Sequence, residues 1–267
     1  MKKVYASKKK LILNHTLTTT NPLMPHRAQT LIPITTVTFP EIALRTRDAH
    51  KLRGYFGELF REHSPLLHNH LESEAGAEGA TAVKFRYAYP LVQYKVLDRV
   101  PTLVGLGEGA TLLTQLFLQI REVQIENDTF PVLSKHIRHE RVPIGLARGD
   151  GPLDLIEYRF ETLWMALNQA NYRDYRSYSE QEQQAQLKRV LTSQLLALFR
   201  EFGLWLEPHE RIMVRLSVEE RSTQFKNQTM VAFTGGFLTN VVLPDGIGLG
   251  KAVSRGFGTL TRMNNGK

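Results

Sequence analysis

Apolar positions recur along this chain at two periods, and the alternation between them predicts the elements. Leu31–Phe39 (LIPITTVTF) alternates and is β-branched, which predicts a strand. Pro33 has no N–H to give a ladder, so it places that strand near an edge or at a strand start. Thr46–His63 carries Leu52, Tyr55, Phe56, Leu59, Phe60 and His63 at three- and four-residue steps, the apolar face of a helix that Pro65 ends. Residues 72–82 are small and polar and predict a loop. Lys84–Leu97 is aromatic and β-branched, one or two strands around Pro90. Gly109–Ile120 returns to helical spacing through Leu112, Leu113, Leu116, Phe117 and Ile120, and Arg121–Glu126 alternates as a strand.

The predicted order is strand, helix, strand, strand, helix, strand, which is the ferredoxin-like split βαβ plan. It then partly repeats. Leu153–Phe160 predicts a strand. Ser179–Phe202 predicts a helix, with Leu187, Val190, Leu191, Leu195, Leu198 and Phe202 in phase and Gly203 at its end. Strands follow at Arg211–Val218 and within Thr229–Leu243. Gly145–Pro152 (GLARGDGP) reads as a linker. The chain is therefore expected to be α+β, with two tandem ferredoxin-like domains over residues 1–147 and 151–267.

Composition narrows the chemistry. The 267 residues include 34 Lys and Arg against 26 Asp and Glu, a net charge of +8, so an anionic partner is expected. There is no cysteine, which excludes disulfides, thiolate nucleophiles and zinc–sulfur sites and fits a reducing cytoplasm. No apolar run reaches the roughly 18–20 residues of a membrane span. The basic start MKKVYASKKKLILN has no apolar stretch after it, so it reads as a solvated arm rather than a signal peptide.

The sharpest motif is Gly246–Gly258, GIGLGKAVSRGFG, with glycines at 246, 248, 250, 256 and 258 and with Lys251 and Arg255 between them. Close glycines allow positive φ and near approach of backbone to a ligand, and successive N–H groups can cradle a phosphate. It is not a Walker A loop, because Ala252 follows Lys251 where a Ser or Thr would hold magnesium. Nor does it open a dinucleotide-binding helix, since nine residues remain after Gly258.

Gly248-Leu249-Gly250, five residues, then Gly256-Phe257-Gly258 resembles the C-terminal signature of the CRISPR repeat-processing endoribonucleases of the RAMP superfamily. The two-domain plan matches that family as well, and so does Leu66-Leu67-His68-Asn69-His70 directly after the first helix, where members carry a catalytic histidine. The resemblance implies cleavage of precursor CRISPR RNA within its repeats, without a metal or other cofactor. The 2′-hydroxyl would attack, leaving a 2′,3′-cyclic phosphate and a 5′-hydroxyl. An imidazole near pKa ~6.5 supplies base or acid, and in an extended segment residues two apart share a side. His68 and His70 are thus the candidate acid and base, in an order the sequence leaves open.

Members commonly add a tyrosine or lysine. Tyr87 leads here, ahead of Tyr55, Arg61 and Lys84. Candidate RNA contacts are Gly246, Gly248, Gly250, Lys251, Arg255, Gly256 and Gly258, together with Arg173 and Arg176 in the run Tyr172–Tyr178, which interleaves aromatics with arginines or else forms a polar loop before the long helix. His136 and His139 would share a helical face as surface or RNA-contacting residues, beside Lys135, Arg138 and Arg141. The resemblance admits other Cas effector subunits and a second copy of the chain as partners. A non-catalytic scaffold that only holds repeat RNA is the alternative reading, and the intact histidines weigh against it.

Overall fold

The computed structural model describes residues 29–60, 70–71, 84–85, 89–147, 155–225 and 228–263. β1 (Gln29–Thr38) leads through a 3-10 turn at Thr46–Asp48 into α1 (Ala49–Leu59). Two short strands follow, β2 (His70–Leu71) and β3 (Lys84–Phe85), and pair with each other. Then come the hairpin β4 (Val92–Leu97) and β5 (Val100–Leu106), α2 (Glu108–Leu116), the hairpin β6 (Glu122–Ile125) and β7 (Asp128–Pro131), and β8 (His136–Leu146). The sheet order β8-β1-β5-β4, with every neighbouring pair antiparallel, is that of a ferredoxin-like domain.

Two expectations change here. The fourth strand of this domain is β8, not Arg121–Glu126. The latter turns back at Glu126, in positive φ, and pairs only with β7. His136 and His139 therefore sit on a strand, where three residues apart means opposite faces. His139 Nδ1 lies 2.8 Å from the Thr35 hydroxyl. The second change concerns β1, which is central rather than at an edge. Its ladder to β5 begins only at Ile34. Pro33 directs its carbonyl to the Gly107 N–H on that side, so the missing proline N–H falls beyond the ladder's end and removes no strand bond.

The second domain begins with β9 (Ile156–Trp164), followed by α3 (Gln169–Ser177) and α4 (Glu180–Glu201). Ser179 separates the two helices. Its hydroxyl caps Glu182 N–H while the Glu182 carboxylate accepts from Ser179 N–H, a reciprocal cap that starts α4. The long hairpin β10 (Val214–Phe225) and β11 (Gln228–Thr239), the short β12 (Val241–Val242) and β13 (Leu260–Arg262) complete the chain. The sheet order β10-β11-β9-β13 again matches the ferredoxin-like plan. In the place of that plan's second helix lie β12 and the glycine-rich segment.

The two domains share a core. β12 adds itself to the first domain's sheet beside β8. One apolar cluster joins Ile32, Ile34, Leu106 and Ile144 to Tyr158, Trp164, Leu191, Leu195 and Phe237. A second cluster lies between the first sheet and α1, with Phe39, Phe56, Phe60 and Tyr94 stacked through it. The linker expected at Gly145–Pro152 begins inside β8, because Gly145 pairs with Gln29 and Val242. The remainder of that linker, residues 148–152, lies outside the described residues. No helix among the described residues is long and apolar enough to cross a membrane.

Candidate active site and RNA interface

The glycine-rich segment folds as a tight double turn between the domains. Gly246 N–H donates to Leu260 O at 2.8 Å and Leu249 N–H to Gly258 O at 2.9 Å, so the two glycine pairs face each other across an isolated bridge between Gly248 and Thr259. Lys251 N–H reaches Met165 O and Gly258 N–H reaches Leu163 O, both at 2.9 Å, which ties the turn to the end of β9. Ala252 turns the chain in left-handed geometry into a 3-10 turn at Val253–Arg255.

The glycines serve packing. A Cβ on Gly258, whose φ is +66°, would stand 1.9 Å from Leu249 O. One on Gly248 would stand 2.7 Å from Val253 Cγ1. Ile247, Leu249 and Val253 are buried beneath them. The N–H groups of Gly246, Gly248, Leu249, Lys251, Arg255, Gly256 and Gly258 all find acceptors inside the protein. The open phosphate cradle of backbone amides expected from the sequence is largely closed by these bonds. The cations are what the turn offers an anion: Lys251 is exposed, and Arg255 is half-buried. Burial lowers the Arg255 guanidinium from its ordinary value, and the nearby Arg53 of α1 lowers it further.

The first domain grips the turn through β4. Gln93 and Lys95 are fully buried polar residues two apart, so both point the same way. Gln93 accepts from Gly248 N–H at 3.0 Å and donates to the Tyr89 hydroxyl at 2.9 Å, and Tyr89 donates to Gly248 O at 2.7 Å. Lys95 donates to Thr259 Oγ1 at 2.9 Å, and the Thr162 hydroxyl donates to Gly256 O at 2.6 Å. Burial pushes the Lys95 amine down to about 7, against an opposing pull from Glu161. Gly256 packs against Ala49 of α1 and the Tyr94 carbonyl, where a Cβ would come within 3.0–3.1 Å.

Models of the Cas6b N-terminal domain and Cas6b C-terminal domain match residues 30–143 and 153–263. A solved structure described as a crystal structure of Cas6b superposes with a TM-score of 0.78 and is 32% identical, over 88% of this chain and 100% of its own. This chain belongs to the Cas6b family. A second structure, of the CRISPR RNA processing endoribonuclease Cas6b, has a TM-score of 0.67 and 28% identity over the same shares of the two chains. Csf5, a type IV Cas6 crRNA endonuclease, shares the fold at a TM-score of 0.52 and 14% identity, again over 88% of this chain and 100% of its own. The uncharacterized protein MJ0978 of Methanocaldococcus jannaschii is 26% identical over 149 residues, 56% of this chain and 97% of its own length.

The predicted site residues fall into four groups in this Cas6b chain. His68, Tyr87 and Arg61 lie outside the described residues. The backbone of His70 is described in β2, where it pairs with Phe85, and Lys84 lies next to Phe85 in β3. Gly246, Gly248, Gly250, Lys251, Arg255, Gly256 and Gly258 form the double turn, which the structure brings against both α1 and β4. Arg173 and Arg176 lie exposed on α3, so their segment is a helix rather than a polar loop. Tyr175 anchors that helix against Phe233, and Arg176 stands 3.8 Å from Glu220. No hydrogen bond or ion pair among the described residues joins either arginine to the glycine-rich turn.

Of the other candidates, Tyr55 donates to Glu122 O at 2.9 Å, which ties α1 to β6. Lys135 donates to Ile120 O at 2.7 Å, and Arg138 pairs with Glu140 at 2.8 Å. Sequence reasoning missed Tyr89, Gln93 and Lys95. For Gln93 and Lys95 a signal was available, as two polar residues in alternation within an otherwise apolar strand, Val92–Leu97.

Proposed function

We propose that this protein is the endoribonuclease that cuts precursor CRISPR RNA within its repeats. The observation that carries the reading is the match of both domains to a family with a solved member described as a CRISPR RNA processing endoribonuclease. His68 and His70 act as the acid–base pair. One takes the proton of the 2′-hydroxyl as it attacks the adjacent phosphate. The other protonates the 5′-oxygen as it leaves. The products are a 2′,3′-cyclic phosphate and a 5′-hydroxyl, and the reaction uses no metal. Their spacing supports this pairing, since residues two apart on an extended path lie on the same side. Tyr87 is the proposed third group, stabilising charge on the phosphate.

RNA is held by Lys251 and Arg255 on the glycine-rich turn, with Arg173 and Arg176 as a second contact on α3. Gly246, Gly248, Gly250, Gly256 and Gly258 shape the turn that presents the two cations. The first domain, residues 1–147, supplies the histidines, and the second, residues 151–267, supplies the turn. The protein works in the cytoplasm, with repeat RNA as its partner. Other Cas effector subunits and a second copy of the chain are its further proposed partners, read by mass in solution. The test of function is incubation of labelled repeat RNA with the protein and mapping of both new ends. A single cut within the repeat that leaves a 5′-hydroxyl is expected, whereas tight binding with no product under any condition would make the protein a scaffold instead.

A further inference from the structure

Both backbone polar groups of one residue, Gly248, are read by two side chains of the other domain. Gly248 N–H goes to Gln93 Oε1 at 3.0 Å, Gln93 Nε2 to the Tyr89 hydroxyl at 2.9 Å, and Tyr89 back to Gly248 O at 2.7 Å. Only a group that donates and accepts at once closes such a ring, and the glutamine amide does both. Gln93 is fully buried, so water does not compete for these bonds, and loss of one partner would leave another unsatisfied. Tyr89 also has a particular place in the chain. It comes four residues after Phe85, the strand partner of His70, so it stands where the chain returns from the histidine segment to β4.

We propose that Tyr89 and Gln93 are positioning residues for RNA cleavage, latching the exit of the histidine segment to the backbone of Gly248 in the cation-bearing turn. The inference rests on the function proposed above, because it takes the histidines as the reacting groups and the turn as the RNA holder. Those two parts come from different domains and must agree in placement, since a displacement of about 1 Å in a catalytic constellation lowers a rate by as much as 10²-fold. Lys95 provides a second point of attachment one alternation further along β4, through Thr259 and the other glycine pair. Neither Tyr89 nor Gln93 need touch RNA for this role.

Tyr89→Phe removes one hydroxyl and leaves the ring. The cleavage rate is measured in single turnover at saturating RNA, and the dissociation constant separately on repeat RNA with a 2′-deoxy nucleotide at the cut site. The latch predicts a rate lowered about tenfold with binding changed by less than about threefold. An unchanged rate, or a rate and affinity that fall together with the melting temperature, overturns it. Gln93→Glu keeps the side-chain volume but puts a carboxylate where an amide donor stood. It should give the same split, and it decides the matter if Tyr89→Phe does not fold. His70→Ala run alongside separates the two levels: inactive His70→Ala with fully active Tyr89→Phe rejects the latch alone, and active His70→Ala rejects the underlying assignment.

Discussion

Replacing Lys95 by methionine tests the domain junction through its pH dependence. The amine is fully buried and bonded to Thr259, and burial pushes it down to about 7 from an ordinary 10.5. Glu161 of β9 opposes that shift. Above the unfolded pKa, lysine is neutral in both states and adds no penalty. Between the two values the unfolded chain binds a proton that the native protein does not, so native stability rises with pH. Below about 7 both states are charged and the full cost of burying the ammonium is present.

The slope approaches about 1.4 kcal/mol per pH unit inside this window. Between pH 7.5 and 9.5 the wild type should therefore gain about 2 kcal/mol relative to Lys95→Met. Urea denaturation of both proteins at the two pH values gives this double difference, in which the other titrating groups cancel. Methionine retains the buried length, and Thr259 keeps Gly256 O as a partner. A difference that does not change with pH would refute the reasoning. A Lys95 held charged by Glu161 would give that unchanging result, since both states would then be protonated throughout this range.

Other outcomes follow from the same geometry. His68→Ala and His70→Ala should each lower the cleavage rate about 10²-fold or more while repeat RNA still binds, read by single-turnover assay beside a binding titration. Gly258→Ala places a Cβ against Leu249 O at positive φ, so RNA affinity should fall together with a lowered melting temperature. Lys251→Ala and Arg255→Ala should weaken binding and reduce the dependence of log affinity on log salt by about one unit each, seen in titrations at several salt concentrations.

Much of the fold was legible in the hydrophobic pattern, because most elements have one wet face. α1, α2 and α4 follow three- and four-residue spacing, and β1 and β9 alternate. The fourth strand of the first domain was missed for a physical reason. Most of β8 before Ile144 is exposed, so His136–Pro143 carries little apolar alternation, while Arg121–Glu126 alternates cleanly and pairs only with its own hairpin partner. Tyr172–Tyr178 did not read as a helix because Tyr175 alone of that run is deeply buried, too few contacts to declare a helical face.

The candidate site was legible in part. The glycine spacing pointed to the turn, and the resemblance pointed to the histidines. Their assigned physical role needed correction, since the glycines chiefly let the chain pack against Ala49, Val253 and Leu249 O rather than expose amides. The grip of Gln93 and Tyr89 on Gly248 spans about 155 residues of sequence. No local pattern encodes a bond between a strand and a turn so far apart in sequence.

The central claim is that the RNA's own 2′-hydroxyl performs the cut with help from protein imidazoles. The most direct measurement is digestion of repeat RNA in EDTA, alongside the same RNA carrying a single 2′-deoxy nucleotide at the cut site. The account predicts cleavage of the first at its full rate and intact, bound RNA for the second. Cleavage that requires magnesium, or that proceeds on the 2′-deoxy substrate, would contradict it.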